Sequence, residues 1–205
     1  MSTSDYTQAL KMTRAEHEVK KSRFIALAYP APSREEALAH LEETKRLFPD
    51  ARHHCWAYLV GNPHSPQAVA MSDDGEPSGT AGKSILNVLE HKEVGDVMLI
   101  VVRYFGGVKL GAGGLVRAYS AAAEQVMSAL PLCTKVFLAE AVVEGDFSLE
   151  QGLRHWLVGR EGDVLNVDYC ERVRVRLALR EDDLTELEGF TAAHGARLVS
   201  VNKKV

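Results

Sequence analysis

Residues 96–105 read DVMLIVVRYF, a continuous run of aliphatic and β-branched side chains that ends in an arginine and two aromatic residues. A strand with one solvated face alternates apolar and polar residues, whereas a strand in the middle of a sheet reads as an unbroken apolar run. The stretch therefore predicts a central strand that is covered on at least one face.

Helical patterns with a glycine-rich turn flank this strand. KSILNVLEHKEV (83–94) predicts a helix before it, and LVRAYSAAAEQVMSAL (115–130) predicts a helix after the turn GGVKLGAGG, ended by Pro131. Ser33, with Glu36 three residues later, predicts a capping box for a helix that stops at Pro49. Further strands are predicted at 20–31, 54–61 and 67–72.

The pattern restarts at Lys135. Strand, helix, two strands, helix and strand follow one another over about 70 residues, which is the ferredoxin-like order βαββαβ. The final strand is predicted to run from residue 196 to residue 205. We predict an α+β protein built of two α/β-sandwich domains, residues 1–134 and 135–205.

Composition limits the function classes. The net charge of −4 argues against a protein that coats nucleic acid non-specifically, and residues 1–135 carry 15 Lys and Arg against 15 Asp and Glu, so any basic surface must be local. No run approaches the ~18 apolar residues of a membrane span. The polar beginning and the three scattered cysteines, each inside an apolar stretch, predict a cytoplasmic protein with buried, reduced thiols.

The stretch DDGEPSGTAGKS (73–84) is one residue away from a phosphate-binding P-loop, GxxxxGK[ST]. Gly82, Lys83 and Ser84 fit that motif, but Pro77 stands at the first glycine. Acidic residues occupy the approach where a buried strand should deliver the loop, and their charge would repel phosphate. These departures argue against a nucleotide-binding P-loop.

A second glycine-rich stretch, RYFGGVKLGAGG (103–114), leads directly into a predicted helix. Its glycines free backbone N–H groups, and the helix adds its positive end, so an anion site is physically sound. The dinucleotide pattern GxGxxG fails, because no third glycine follows. A purely structural turn stays open as the alternative.

The stretch DARHHCWAY (50–58) places Arg52 and His53 before a strand. Adjacent histidines on a strand point to opposite faces, and the spacing matches no zinc pattern, so we predict neither a metal nor a cofactor. The acids of residues 73–76 either pair with Arg52 and Arg103 to hold the loops or carry chemistry.

Four segments together resemble the IMPACT/YigZ family: KKSRFIA (20–26), DARHHCWAY, SDDGEPSGTAGK (72–83) and VVRYFGGVKLGAGGLVRAY (101–119). The resemblance implies a first domain like ribosomal protein S-five domain two, elongation factor G domain four and the GHMP kinases. It implies a second domain similar to elongation factor G domain five. Eukaryotic relatives restrain a starvation-responsive kinase of translation initiation, whereas the fold suggests nucleic-acid or ribosome association for bacterial members.

Three hypotheses follow. The first is a non-enzymatic factor in regulation of translation or stress response that binds RNA or a ribosome-linked protein and no membrane. The second is a hydrolase or transferase acting on a small phosphorylated or nucleotide ligand, and the third is a protein-interaction module. The predicted anion-binding residues are Arg52, His53, Lys83, Arg103, Gly106, Gly107, Lys109, Gly111, Gly113, Gly114 and Arg117. The predicted acidic or structural site is Asp73, Asp74, Glu76 and Thr80. The residues assign no catalytic group.

Overall fold

The computed structural model describes residues 5–203, which divide into two compact units, one from Asp5 to Lys135 and one from Val136 onward. The protein belongs to the mixed α/β class, with three sheets among these described residues. Residues 1–4 of the predicted first domain and the last two residues of the predicted final strand lie outside the described ones.

The first unit contains seven strands and three helices. The strands are β1 (Tyr6–Ala9), β2 (Thr13–Val19), β3 (Ser22–Pro30), β4 (His53–Val60), β5 (Ala68–Ser72), β6 (Val97–Tyr104) and β7 (Leu132–Lys135). The helices are α1 (Arg34–Leu47), α2 (Gly82–Lys92) and α3 (Ala112–Ser128).

Strand β6 is the centre of a five-stranded antiparallel sheet with the order β2-β3-β6-β4-β5. Its side chains alternate between two cores. Val97, Leu99 and Val101 pack in the cluster that contains α2 and α3. The intervening side chains, such as Ile100, pack in the cluster that contains α1. The predicted central strand is confirmed, and it is covered on both faces.

The sequence patterns missed the strands at the two ends of this unit. Strand β2 pairs with β3, and β1 pairs with β7 in a separate two-stranded antiparallel sheet. Residues of β2 alternate between half-buried and exposed, but Thr13 and His17 at two of the four inward positions are polar, so the pattern is weak. Strands β1 and β7 are four residues each and depend on a partner from the far end of the unit.

Helix α1 begins as predicted. The Glu36 amide donates to Ser33 Oγ at 3.1 Å, so Ser33 is the N-cap. Helix α1 ends at Leu47, two residues before the predicted stop.

The second unit has the predicted order βαββαβ and forms one antiparallel sheet, β11-β8-β10-β9. Leu149, Leu153 and Leu157 are spaced four residues apart on α4, which buries that stripe in the core of this unit. Its elements are β8 (Leu138–Gly145), α4 (Leu149–Leu157), β9 (Gly162–Tyr169), β10 (Val173–Arg180), a short 3-10 turn (Glu181–Asp183), α5 (Leu184–Ala193) and β11 (Arg197–Lys203).

Between residues 5 and 203, none of the helices has the length and apolar character needed to cross a membrane.

Candidate functional site

The N-terminus of α2 is occupied by a carboxylate of the chain itself. Asp73 accepts hydrogen bonds from the backbone N–H groups of Gly79 at 2.7 Å, Ala81 at 2.9 Å and Gly82 at 2.8 Å. In a P-loop a phosphate sits at such a helix N-terminus. The near-match to the P-loop motif is therefore a loop whose anion position is already filled.

The pKa of Asp73 shows that this carboxylate stays charged. Partial burial of the group works to raise its pKa, but the three backbone donors outweigh burial and lower it. At neutral pH the negative charge thus remains at the positive end of α2, where it stabilises the helix.

The backbone of this loop fits tightly against β5. A Cβ added to Gly82 would lie 2.7 Å from the carbonyl carbon of Ser72, so only glycine fits there. Within the loop Thr80 Oγ1 donates to the carbonyl of Pro77 at 2.6 Å and closes a turn. Thr80 therefore has a structural role.

Asp74 attaches the same loop to the start of β4. Its carboxylate accepts from the His54 amide at 2.6 Å, and its carbonyl lies 2.8 Å from His53 Nδ1. The backbone of Asp74 adopts a positive φ of 40°, which turns the loop towards β4. Asp74 is committed to these contacts.

Glu76 lies in a buried polar network between this loop and α3. Arg103 Nη1 donates to Glu76 Oε1 at 2.5 Å, and the Tyr119 hydroxyl donates to the same oxygen at 2.8 Å. The side chains of Glu76 and Arg103 are 4% and 7% exposed. Glu76 is paired with Arg103, and the two aspartates accept hydrogen bonds from backbone amides. Arg52, the other predicted partner, forms no ion pair with these acids within the described residues. A chemical role for the acids stays a prediction.

Cys55 borders this network and is buried as predicted, whereas Cys133 is half-buried and the prediction of a buried Cys170 is wrong, because that residue is exposed. The Sγ of Cys55 lies 3.3 Å from the Tyr119 hydroxyl oxygen, and burial raises the pKa of the thiol to about 12. A thiol with so high a pKa is not ionised at neutral pH and is a poor nucleophile. Across residues 5–203 no three His, Cys, Asp or Glu side chains are grouped so that they could hold a metal ion.

A cleft of about 360 Å³ opens beside the Glu76–Arg103 pair. We call it the α3 cleft, because the N-terminus of α3 forms one side of it. Its lining residues are Arg52, His53, Glu76, Pro77, Arg103, Phe105, Lys109, Leu110, Gly111, Ala112 and Leu115.

The N-terminus of α3 is open, unlike that of α2. Gly111 is the N-cap with a φ of 71°, it has no side chain that could cap the helix, and the first turn contains no acidic residue. Gly111, Ala112 and Gly113 are exposed. Among residues 5–203 no side chain accepts from the first N–H groups of this turn, and the turn meets the cleft at Gly111 and Ala112. The positive helix end therefore borders the cleft.

Five of the predicted anion-binding residues meet in the α3 cleft: Arg52, His53, Arg103, Lys109 and Gly111. Arg52 and Lys109 are exposed, and neither forms an ion pair within the described part of the chain. The guanidinium of Arg103 is paired with Glu76 through Nη1, so Arg103 also holds the loop.

The other predicted residues lie elsewhere or have structural roles. Lys83 is exposed on α2, and Arg117 lines a different cavity with His17 and Lys20. A Cβ on Gly106 would lie 1.9 Å from the backbone of Lys21, so this glycine permits a close approach between chain segments. Gly107 has a positive φ of 86°, and Gly113 and Gly114 form the first turn of α3.

Sequence reasoning missed Phe105 as a site residue. Its side chain is 52% exposed, and the guanidinium carbon of Arg103 lies 5.7 Å from its ring centroid. The buried ring of Phe24 lies 5.6 Å from the same carbon. A large aromatic residue placed between a strand and a glycine turn is the signal that could have identified it.

The fold and the cleft define an α/β protein with an open, cationic, aromatic-lined cleft at a helix N-terminus. Residues 20–127 match the Impact N-terminal domain. The chain is 41% identical to the IMPACT family member YigZ of Escherichia coli (strain K12), over 85% of this chain and 86% of that protein. It is 45% identical to an IMPACT family member of Haemophilus influenzae, over 90% of each chain.

A solved structure described as a hypothetical protein shares this fold over 98% of both chains, with a TM-score of 0.68 and 34% identity. The chain belongs to the IMPACT family, and the resemblance found in its sequence is confirmed.

Proposed function

We propose that this IMPACT family chain is a non-enzymatic cytoplasmic factor that binds RNA, free or within the ribosome, in regulation of translation or stress response. The observation that carries the proposal is the α3 cleft, where Arg52 and Lys109 have no acidic partner among residues 5–203 and lie beside an open helix N-terminus. Exposed cations and backbone N–H groups are the donors that proteins use to contact phosphate oxygens.

Phe105 adds a surface for a base. A half-exposed aromatic ring beside cationic groups can stack on an unpaired base without requiring a particular sequence. Since the first unit carries as many acidic as basic residues, phosphate contacts should be few. The logarithm of the binding constant should fall by roughly 0.7 to 0.9 per phosphate contact for each tenfold rise in salt.

The proposal includes the predicted relation to translation proteins. It assigns residues 1–134 to a domain like ribosomal protein S-five domain two and elongation factor G domain four. It assigns residues 135–205 to a domain similar to elongation factor G domain five. Likeness of fold supports a function only by association, so the support for RNA binding is the chemistry of the α3 cleft.

The test measures binding of the purified chain to ribosomes, structured RNA and a panel of nucleotides across a salt series. We expect Lys109→Glu and Arg52→Glu each to weaken RNA binding by about tenfold, as expected for a lost charge-assisted contact. Lys83→Glu is the matched control, since Lys83 is an exposed cation outside the cleft. Equal weakening by all three variants, or the absence of RNA and ribosome binding, would contradict the proposal.

A second candidate function, turnover of a small phosphorylated ligand, rests on the size of the cleft. Small-molecule sites commonly occupy about 300–1,000 Å³, and the α3 cleft measures about 360 Å³. Turnover of a nucleotide in the same panel, without retention of RNA, would favour this function over the first.

A further inference from the structure

The α3 cleft contains a second feature that points to a ligand, the unpartnered Nε of Arg103. Arg103 lines the cleft, and its Nη1 is bound to Glu76. Its Nε is buried and has no hydrogen-bond partner among the described residues. Buried N–H groups in folded proteins nearly always have an acceptor, so this donor calls for one from outside the chain.

The surroundings of the guanidinium show where that acceptor would enter. Two rings lie within 6 Å of the guanidinium carbon, that of Phe24, which is completely buried, and that of Phe105, which is half-exposed. Phe105 belongs to the cleft lining, whereas Phe24 belongs to the core. A ligand in the cleft would therefore approach Arg103 from the side of Phe105.

The charges of the cleft select among phosphate ligands. Arg52, Arg103 and Lys109 supply three positive charges and Glu76 supplies one negative charge, to which the helix end adds about half a positive charge. A phosphate monoester carries a charge of about −1.5 to −2 at neutral pH. An internal phosphodiester carries about −1. The monoester therefore matches the excess of positive charge better.

We infer that the α3 cleft binds a phosphate monoester, held by the first-turn N–H groups of α3, Lys109 and Arg103. The monoester is the terminal phosphate of an RNA chain or of a free nucleotide, and Phe105 stacks on the adjacent base. The inference rests on the proposed function for the choice of RNA as one source. The subsite itself is tested with inorganic phosphate alone.

The first experiment is an NMR titration of the full chain with inorganic phosphate. We expect saturable shifts of the backbone amide signals of Ala112, Gly113 and Gly114. The N-terminus of α2 is an internal control: Gly82 should not shift, because Asp73 already occupies that position. No saturable shift at α3, or an equal shift at Gly82, would overturn the inference.

The second experiment places a carboxylate at the open helix end. Ala112 is exposed at the first position of α3, and an acid there is favourable for the helix, so Ala112→Asp should fold normally. We expect Ala112→Asp to weaken phosphate binding by at least about tenfold, whereas the uncharged control Ala112→Asn stays within about twofold of the wild type. Phosphate binding by Ala112→Asp at wild-type affinity would overturn the inference.

The third experiment separates the sources of the monoester. It compares 5′-phosphorylated and 5′-hydroxyl RNA oligonucleotides of one sequence with the corresponding nucleoside monophosphate. Tighter binding of the phosphorylated oligonucleotide by about tenfold supports an RNA end, and equally tight binding of the monophosphate identifies a free nucleotide. Equal binding of the two oligonucleotides overturns the monoester inference and leaves the proposed function standing. If the chain binds no RNA but inorganic phosphate still shifts the amide signals of α3, the proposed function is wrong and the phosphate site stands.

Discussion

Two helices of the first unit begin in glycine-rich loops. Their N-termini differ in which groups accept hydrogen bonds from the backbone N–H groups. At α2 the carboxylate of Asp73 accepts three backbone hydrogen bonds. At α3 the N-cap is a glycine, the first turn contains no acid, and no described side chain accepts from its N–H groups. The loop that resembles a P-loop is therefore closed to an anion, because Asp73 occupies the anion position. The loop without a nucleotide motif has room for an anion.

The largest effect is expected at Glu76, the acid that lies between the two helix ends. Glu76→Ala leaves the buried Arg103 guanidinium without its carboxylate, which should lower the free energy of unfolding by about 3–5 kcal/mol. Urea unfolding followed by circular dichroism measures the change. The control is Glu124→Ala, which removes a half-exposed ion pair with Lys92 and should cost under about 1 kcal/mol. Equal costs for the two variants would show that the Glu76 pair is not a buried one.

The second effect tests the closed helix end directly. Asp73→Ala removes an ionised acceptor from three amides and should lower the free energy of unfolding by about 2–3 kcal/mol. Asp50→Ala at an exposed position should stay within about 0.5 kcal/mol of the wild type in the same urea titration. A change within that range for Asp73→Ala would contradict the conclusion that Asp73 stabilises the N-terminus of α2.

The third effect compares one substitution at both helix ends. Gly82→Ala forces a Cβ against the backbone of Ser72 and should destabilise the protein by about 1–3 kcal/mol. At Gly113 a Cβ would meet only Arg117 Nη1 at 3.7 Å, so Gly113→Ala should stabilise α3 by about 0.5–1 kcal/mol. Thermal unfolding of both variants measures the sign. A destabilised Gly113→Ala variant would mean that the α3 end is packed as tightly as the α2 end.

The smallest effect is the pH dependence of the stability that Asp73 contributes at the N-terminus of α2. Because the folded protein lowers the pKa of Asp73, the carboxylate contributes stability above its ordinary pKa of 3.8, and this contribution is lost as pH falls through the lower folded value. The difference in unfolding free energy between wild type and Asp73→Ala should therefore be constant from pH 5 to 7 and should narrow below about pH 4. Urea titrations at pH 3 and pH 7 measure it, and a difference that widens in acid would contradict the assignment of Asp73.

Local patterns predicted much of the fold. The apolar run 96–105 predicted β6, Ser33 predicted the start of α1, and the alternation after Lys135 predicted the order βαββαβ. Each of these elements has its own local signal, because periodicity and capping act over a few residues. Strand β1 was missed because four residues carry little periodicity and its partner β7 is distant in sequence.

The site was predicted less completely, because its main contacts join distant residues. The sequence placed Arg52, His53 and Lys109 among the anion-binding candidates, and the structure brings them to one cleft. It did not show that the carboxylate of Asp73 accepts hydrogen bonds from the backbone amides at the start of α2. That contact depends on the course of the loop between them. The exposure of Phe105 likewise depends on how the turn after β6 leaves the sheet.

The pairing of β1 with β7 has a consequence for synthesis of the chain. Gln8 and Cys133 lie opposite each other and are 125 residues apart. At translation rates of about 5–20 residues per second, the first strand waits on the order of ten seconds for its partner to be made. During that time Tyr6 and Ala9, which are buried in the finished protein, are exposed to chaperones and to other nascent chains. The sheet formed by β1 and β7 is thus the last part of the first unit that can form, although β1 is synthesised first.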